Sequence, residues 1–303
     1  MPRFGVHVGQ QACSMQELRG TWRLVEDLGY DWVSVWDHFY VSQIERSHDC
    51  FEAIACQAAL ATTTTRPRVG CLVYSAGYRH PAVFANSAVT IDHLSGGRVE
   101  LGLGAGWHQE EYSSYGIPFE SGAVRLRRLR EYAEIVRALL RDESVTFDGE
   151  YWQLKDARCD PKALQPGGPR LWIGAHGPRA LAQAGQLGDG WNTPFVSSEE
   201  FGRRAEIVRA NVPGRRAFET GVTLALVHGE SDPVPRLQEW FGDAAPQVEP
   251  GTLYGSSARI IDAVGRYVDA GADWILIAAR APFDHESLRR FAQEVIPAFA
   301  KGS

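Results

Sequence analysis

The sequence predicts a (β/α)8 TIM barrel, taken as one domain over residues 1–303. Three observations carry this. Short apolar runs alternate with amphipathic helical segments, the runs number eight, and 303 residues suit a fold that usually takes about 250 before insertions. Alternation implies parallel strands joined by right-handed crossovers. An open doubly wound sheet would need a break in the series, so the barrel is preferred.

The first apolar run is Phe4 to Gly9. Ser14-Met15-Gln16-Glu17 then has the form of a capping box, in which Ser and Glu satisfy orphan N–H groups at a helix start. The helix carries Leu18, Trp22, Val25 and Leu28 at helical spacing and stops at Gly29. Strands follow at 32–36, 69–74 and 99–103, separated by helices at 51–61 and 81–94. A long arginine-rich helix over 124–141 turns Leu126, Leu129, Tyr132, Ile135, Val136 and Leu139 inward. Residues 142–168 break the repeat and read as an insertion with a short hairpin around Phe147-Asp148-Gly149-Glu150-Tyr151. The series resumes with strands at 171–173, 190–192, 222–227 and 274–279, and helices at 178–187, 199–211, 234–241, 257–270 and 287–299.

Composition narrows the function. With 44% hydrophobic and 22% charged residues the chain is ordinary for a soluble globular protein, and no run is long and apolar enough to span a bilayer. No basic stretch, apolar run and cleavage site stand in series at the start, so a cytoplasmic location is expected. A formal charge of -6 argues against a general nucleic-acid binder, though local arginines and helix ends can still hold an anionic cofactor. Five cysteines without a CxxC pair suggest neither a disulfide framework nor a zinc site. The chain has no HxH, HExxH or clustered carboxylates, and no GxSxG elbow, so no metal ligands and no serine-hydrolase elbow are expected.

A barrel builds its active site from the C-terminal ends of its strands, which selects among the polar residues. Asp37-His38 end the second run, Tyr74-Ser75 the third, Gly104-Ala105-Gly106-Trp107-His108 the fourth and Gly174-Ala175-His176-Gly177 the fifth. Asp92, His93 and Arg98 fall at the opposite end and are expected to hold a turn. His38 is the leading proton-transfer candidate because imidazole titrates near neutrality; His108 is the second and Glu111 the third, and either also reads as a solvated helix start. For the Gly174–Gly177 loop two readings stand side by side. Free N–H groups before a helix begun by Pro178 make an anion site, with Arg179 adding charge, or the glycines only permit a tight turn. The small residues Gly104, Ala105 and Gly106 either make room for barrel packing or let a flat ring approach bare backbone.

Residues 76–119, AGYRHPAVFANSAVTIDHLSGGRVELGLGAGWHQEEYSSYGIPF, resemble the middle of the bacterial luciferase-like flavin and deazaflavin oxidoreductases. The similarity extends to WVSVWDHF (32–39), IGAHGPRAL (173–181), DGWN (189–192) and AGADWILI (270–277), nearly the whole chain. It implies a luciferase-like barrel binding FMN or the deazaflavin coenzyme F420 at the strand ends and moving hydride on and off the ring. The variant looks most like the F420-using actinobacterial branch. The resemblance places Asp37 and His38 beside the ring, a non-prolyl cis peptide at Leu72-Val73 behind it, and Gly104, Ala105 and Gly106 along it. It gives the phosphate to Gly174, Ala175, His176 and Gly177, and implies a homodimer.

The branch that oxidises glucose 6-phosphate has a glutamate after its GxG and a tryptophan soon after DH. Here Trp107 and Phe39-Tyr40-Val41-Ser42 stand there, so a sugar phosphate is not the expected substrate. Trp107, Phe39, Tyr40 and Glu111 are taken as the substrate pocket, and a rather apolar organic substrate is expected. The expected activity is F420-dependent hydride transfer. An FMN-dependent monooxygenase using reduced flavin and O2 is the first alternative, and a non-catalytic flavin- or deazaflavin-binding protein the second.

Overall fold

A computed structural model describes residues 1–40, 49–214 and 216–300. Its strands β1 (Arg3–Val8), β2 (Trp32–Val35), β3 (Arg68–Ser75) and β4 (Val99–Gly104) alternate with helices α1 (Met15–Asp27), α2 (Ala53–Thr63) and α3 (Pro81–Ser95). A short helix α4 (Gln109–Ser114) precedes the long α5 (Gly122–Arg141). The expected insertion is an antiparallel hairpin of β5 (Val145–Asp148) and β6 (Gln153–Ala157), pairing Phe147 with Leu154. The repeat then continues through β7 (Arg170–Gly174), α6 (Pro178–Leu187), β8 (Gly190–Pro194), α7 (Ser198–Ala210) and β9 (Glu219–His228). It ends with α8 (Val234–Phe241), α9 (Ala245–Val248), β10 (Thr252–Gly255), α10 (Ser257–Asp269), β11 (Trp274–Ala279), α11 (His285–Arg290) and α12 (Pro297–Ala300).

The parallel order β11-β1-β2-β3-β4-β7-β8-β9 closes on itself through β9–β11 and β8–β9 pairing, giving an eight-stranded barrel. β10 adds to the outer half of β9. Strands buried on both faces explain why the runs read as continuous apolar segments rather than as alternation. The helices cover the outside with their apolar faces, α5 burying Leu129, Tyr132, Ile135, Val136 and Leu139. Leu126 instead faces the cavity at the barrel mouth.

Local chemistry starts the elements where the sequence implied. The Ser14 capping box is formed in both directions, with Glu17 N donating to Ser14 Oγ and Ser14 N to Glu17 Oε2. Asp92 accepts from the amides of Leu164 and Gln165, and Arg98 donates to the carbonyls of Ala61, Thr64, Pro67 and Ser95. Both residues hold chain turns away from the C-terminal strand ends.

Four elements depart from the sequence reading. The helix expected over 287–299 is broken into α11, a π turn at Phe291–Val295 and α12. Pro297 has no N–H to continue an α-helical ladder, and Ile296 N donates back to Phe291 O. The short α4, α9 and β10 were not anticipated, because four to six residues give too little periodicity to register.

Deep in the barrel Trp32 stands between Trp172 and Trp274, with ring centroids 4.9 and 5.2 Å away. Glycine makes the room: a Cβ on Gly70 would lie 2.8 Å from Trp32 Nε1, and one on Gly190 2.7 Å from Trp172 Cδ2. Two of the indoles meet acids, Trp172 Nε1 donating to the buried Glu100 Oε2 at 2.7 Å and Trp274 Nε1 to the half-buried Glu219 Oε2 at 2.9 Å. Arg68 pairs with Glu100, and Arg3 and Arg170 pair with Glu219.

Candidate active site

Above this plug, a cavity of about 460 Å³ opens at the C-terminal ends of the strands, within the size range of small-molecule and cofactor sites. Asp37, His38, Leu72, Val73, Gly104, Ala105, Gly106, Gly174, Ala175, His176 and Gly177 all line it, as do Trp107 and His108. Phe39, Tyr40 and Glu111 do not.

One wall is bare backbone. The Leu72-Val73 peptide is cis, and beside it Gly104 and Gly174 present no side chain. A Cβ on either would come within 2.7 or 2.9 Å of Val73 Cγ2. That wall accepts a flat ring. It leads to the start of α6, where Gly177 supplies no side-chain cap and Pro178 sits in the first turn, so the first amides stay available to an anion. The guanidinium at this end is Arg204 of α7. Its Nη1 lies 3.2 Å from His176 Nδ1 and donates to Thr193 Oγ1 at 3.0 Å. Arg179, the arginine the sequence suggested, is exposed and off the lining.

The rim is organised by two carboxylates. Asp37 is buried, accepts from Ser75 N at 2.9 Å and receives both Arg79 Nη atoms at 2.7 and 2.8 Å. Glu111, on α4, is 0% exposed. Its Oε1 accepts from the amides of Phe39 and Tyr40 at 2.6 and 3.1 Å, and its Oε2 accepts from Tyr78 OH at 2.8 Å. His38 Nδ1 lies 2.8 Å from Oε2 and His108 Nδ1 3.0 Å from it. Burial opposes ionisation of Glu111, but the bond and charge of His38 with the two amides outweigh it and bring its pKa to about 2. The three residues place ligand-type atoms within 4.8 Å of one another. With four hydrogen bonds converging on it and the His108 ring alongside, the carboxylate acts as a hydrogen-bonding hub.

The hub explains a correction to the pocket. Holding the Phe39 and Tyr40 amides turns both side chains off the cavity lining. Phe39 stacks 4.2 Å from Tyr115 and 4.5 Å from Tyr78, and Tyr40 OH donates to Ser114 Oγ at 2.8 Å. Glu111 itself holds residues in place without reaching the cavity surface. Val41 and Ser42 lie outside the described residues. Trp107 stays at the rim, 63% exposed, its ring 5.6 Å from that of His38.

The sequence reading missed His7, Trp36, Asn192, Thr223 and Arg280 among the lining residues. His7 donates to or accepts from Ser34 at 2.9 Å, and burial, then Arg280 and His38, lower its pKa to about 3, so it is neutral. Asn192 Oδ1 accepts from Thr223 Oγ1 at 3.2 Å while its buried Nδ2 has no acceptor. The signal was available, since Arg280 and Asn192 also sit at or just after the ends of strands.

Residues 1–234 match the family model of the luciferase-like monooxygenases. An F420-dependent glucose-6-phosphate dehydrogenase of Amycolatopsis mediterranei is 36% identical over 55% of this chain, a match spanning 49% of that enzyme. A 5,10-methylenetetrahydromethanopterin reductase of Archaeoglobus fulgidus is 33% identical over 82% of this chain and 69% of its own length. Among solved structures, an F420-dependent secondary alcohol dehydrogenase holding an F420-acetone adduct superposes with a TM-score of 0.86 at 19% identity, covering 98% of this chain and 99% of that one. The Methanopyrus kandleri F420-dependent tetrahydromethanopterin reductase gives 0.83 at 17%, with the same coverage. Those two likenesses speak for the barrel. The family model spans most of the sequence, and the chain belongs to the luciferase-like monooxygenase family.

Proposed function

We propose that this chain is an oxidoreductase that binds coenzyme F420 and moves hydride between the deazaflavin ring and an organic substrate. The observation that carries the reading is the bare wall of Leu72-Val73, Gly104 and Gly174 running to the uncapped start of α6, in a chain whose relatives include F420-dependent dehydrogenases and a reductase. The residues present fit the group: the Leu72-Val73, Gly104 and Gly174 wall would take the ring, Gly174, Ala175, His176 and Gly177 would hold the phosphate, and the orphaned Asn192 Nδ2 would find an acceptor on the cofactor. Bound F420 supplies the hydride chemistry, and the protein supplies position and electrostatics.

His38 manages the proton. Glu111 holds its Nδ1, which leaves Nε2 to give a proton to, or take one from, the substrate oxygen. Asp37 is neutralised by Arg79 and supports the rim, and His108 stands beside His38 as the second proton-handling group, their rings 5.7 Å apart. The apolar body of the substrate meets Trp36, Trp107 and Phe195 in place of Phe39 and Tyr40. Residues 1–303 acting as one luciferase-like barrel, a homodimer and a cytoplasmic location belong to the same proposal. Light scattering of purified protein tests the assembly. No described helix is long and apolar enough to cross a membrane.

Titration with oxidised F420 and, separately, FMN tests the cofactor. Tight F420 binding and weak FMN binding are expected, and the reverse preference moves the protein to the flavin monooxygenases. With reduced or oxidised F420 and a substrate panel that includes glucose 6-phosphate as an expected non-substrate, His38→Ala should lower turnover by about 10²–10⁴-fold. Its F420 affinity should stay within a few-fold. Full activity in His38→Ala sinks the proton role, and F420 binding without turnover of any substrate by the wild type favours a carrier.

A further inference from the structure

Arg280 follows directly on β11 and lines the cavity. Its guanidinium carbon lies 4.6 Å from the Trp36 ring centroid and 4.1 Å from that of Phe241. Its one protein hydrogen bond among the described residues is long, Nη1 donating to Trp240 O at 3.4 Å, and its Nε is buried without an acceptor. None of the ion pairs among the described residues includes it.

Two of the other arginines near the mouth are held by carboxylates, and Arg125, whose Nε is also buried without an acceptor, lies on α5 rather than across from Gly104. Arg79 is held by Asp37 and Glu52, Arg204 by Glu200, and Arg125 by Glu120 O and the Phe119 ring. Burial lowers the pKa of Arg280 to about 9, which still leaves it cationic at neutral pH. A buried cation without a counter-ion is costly. Ring faces recover part of that cost, and an incoming anion would recover more.

Its place in the barrel says which ligand it meets. In the closed order β11 stands four strands from β4, directly across the mouth from Gly104. A ring on the bare wall therefore leaves Arg280 facing whatever fills the space between. We propose that Arg280 is the recognition residue for a carboxylate on the substrate, whose apolar or aromatic body runs along Trp36, Trp107 and Phe195. A planar guanidinium matches the two oxygens of a carboxylate, and one cation balances one charge where a phosphate dianion would call for two. The inference rests on the ring occupying the opposite wall, as the proposed function has it.

The test uses acetate, butyrate and benzoate, each against its neutral amide, titrated into F420-loaded and cofactor-free protein by calorimetry and thermal shift. The loaded wild type should bind at least one of these carboxylates tenfold or more tighter than its amide. Arg280→Met should abolish that preference with F420 affinity retained, and Arg280→Lys should keep part of it. Should Arg280→Met fail to fold, Arg280→Gln serves in its place. No carboxylate outbinding its amide, or a preference that survives the neutral substitution, overturns the proposal. F420 binding is read separately from its own fluorescence, so wild-type protein that does not bind F420 refutes the cofactor reading instead.

Discussion

At the N-terminal end of the barrel, Glu100 and Glu219 each meet an indole N–H and at least one arginine, beneath the stack of Trp32, Trp172 and Trp274. At the C-terminal end, Asn192 Nδ2 and Arg280 Nε are buried without acceptors, and the wall beside them is glycine and bare peptide. Both ends use Trp, Arg, Gly and carboxylates. At both ends glycine makes room for the protein's own side chains, indoles below and Val73 above; the difference is that the upper glycines also line a cavity. At the lower end the charged groups are paired, although Trp32 Nε1 stays buried without an acceptor; at the upper end the unsatisfied groups, Asn192 Nδ2 and Arg280 Nε, belong to residues lining an open cavity.

The largest effect should come from breaking the lower end alone. Trp172→Ala removes a fully buried indole and leaves Glu100 without that donor, and should cost about 3–5 kcal/mol in urea unfolding. The surviving folded protein should bind F420 as the wild type does. A parallel collapse of F420 affinity would show that the two ends are not separable.

Glu111 sharpens the comparison, because it is a fully satisfied group at the upper end. Glu111→Gln puts a donor where donors already converge and should cost about 1.5–3 kcal/mol, with a loss of turnover that follows the freed His38. The sign of its pH dependence is fixed. A carboxyl depressed to about 2 from an ordinary 4.5 contributes its full stability above about pH 4.5 and loses it as pH falls through about 2. The melting-temperature gap between wild type and Glu111→Gln should therefore narrow below pH 4.5. A gap constant down to pH 2 would refute the ionised hub.

The smallest effect lies remote from both ends. Ser14→Ala removes the α1 cap and should cost about 1 kcal/mol without moving F420 affinity. A change in affinity there would mean that stability and site are coupled globally.

The barrel was legible because β-runs and amphipathic helices carry opposite periods; the rule that strand ends carry chemistry pointed to Gly104 and Gly174, while Leu72-Val73 came only from the family resemblance, and all four line the cavity. Arg280, just after β11, was within reach of the strand-end rule, but nothing in a local string says that an arginine lacks a partner; His7 lies inside β1, before its end. Phe39 and Tyr40 were read inward from their neighbour His38. Their direction is set by Glu111, more than seventy residues away, a long-range bond that no local pattern records.

The indole plug also has a kinetic consequence. It closes the floor of the cavity, so among the described residues the cavity opens at the C-terminal ends of the strands. A guest then reaches the glycine wall from the strand-end side, so whichever guest lies deeper there would enter before the other.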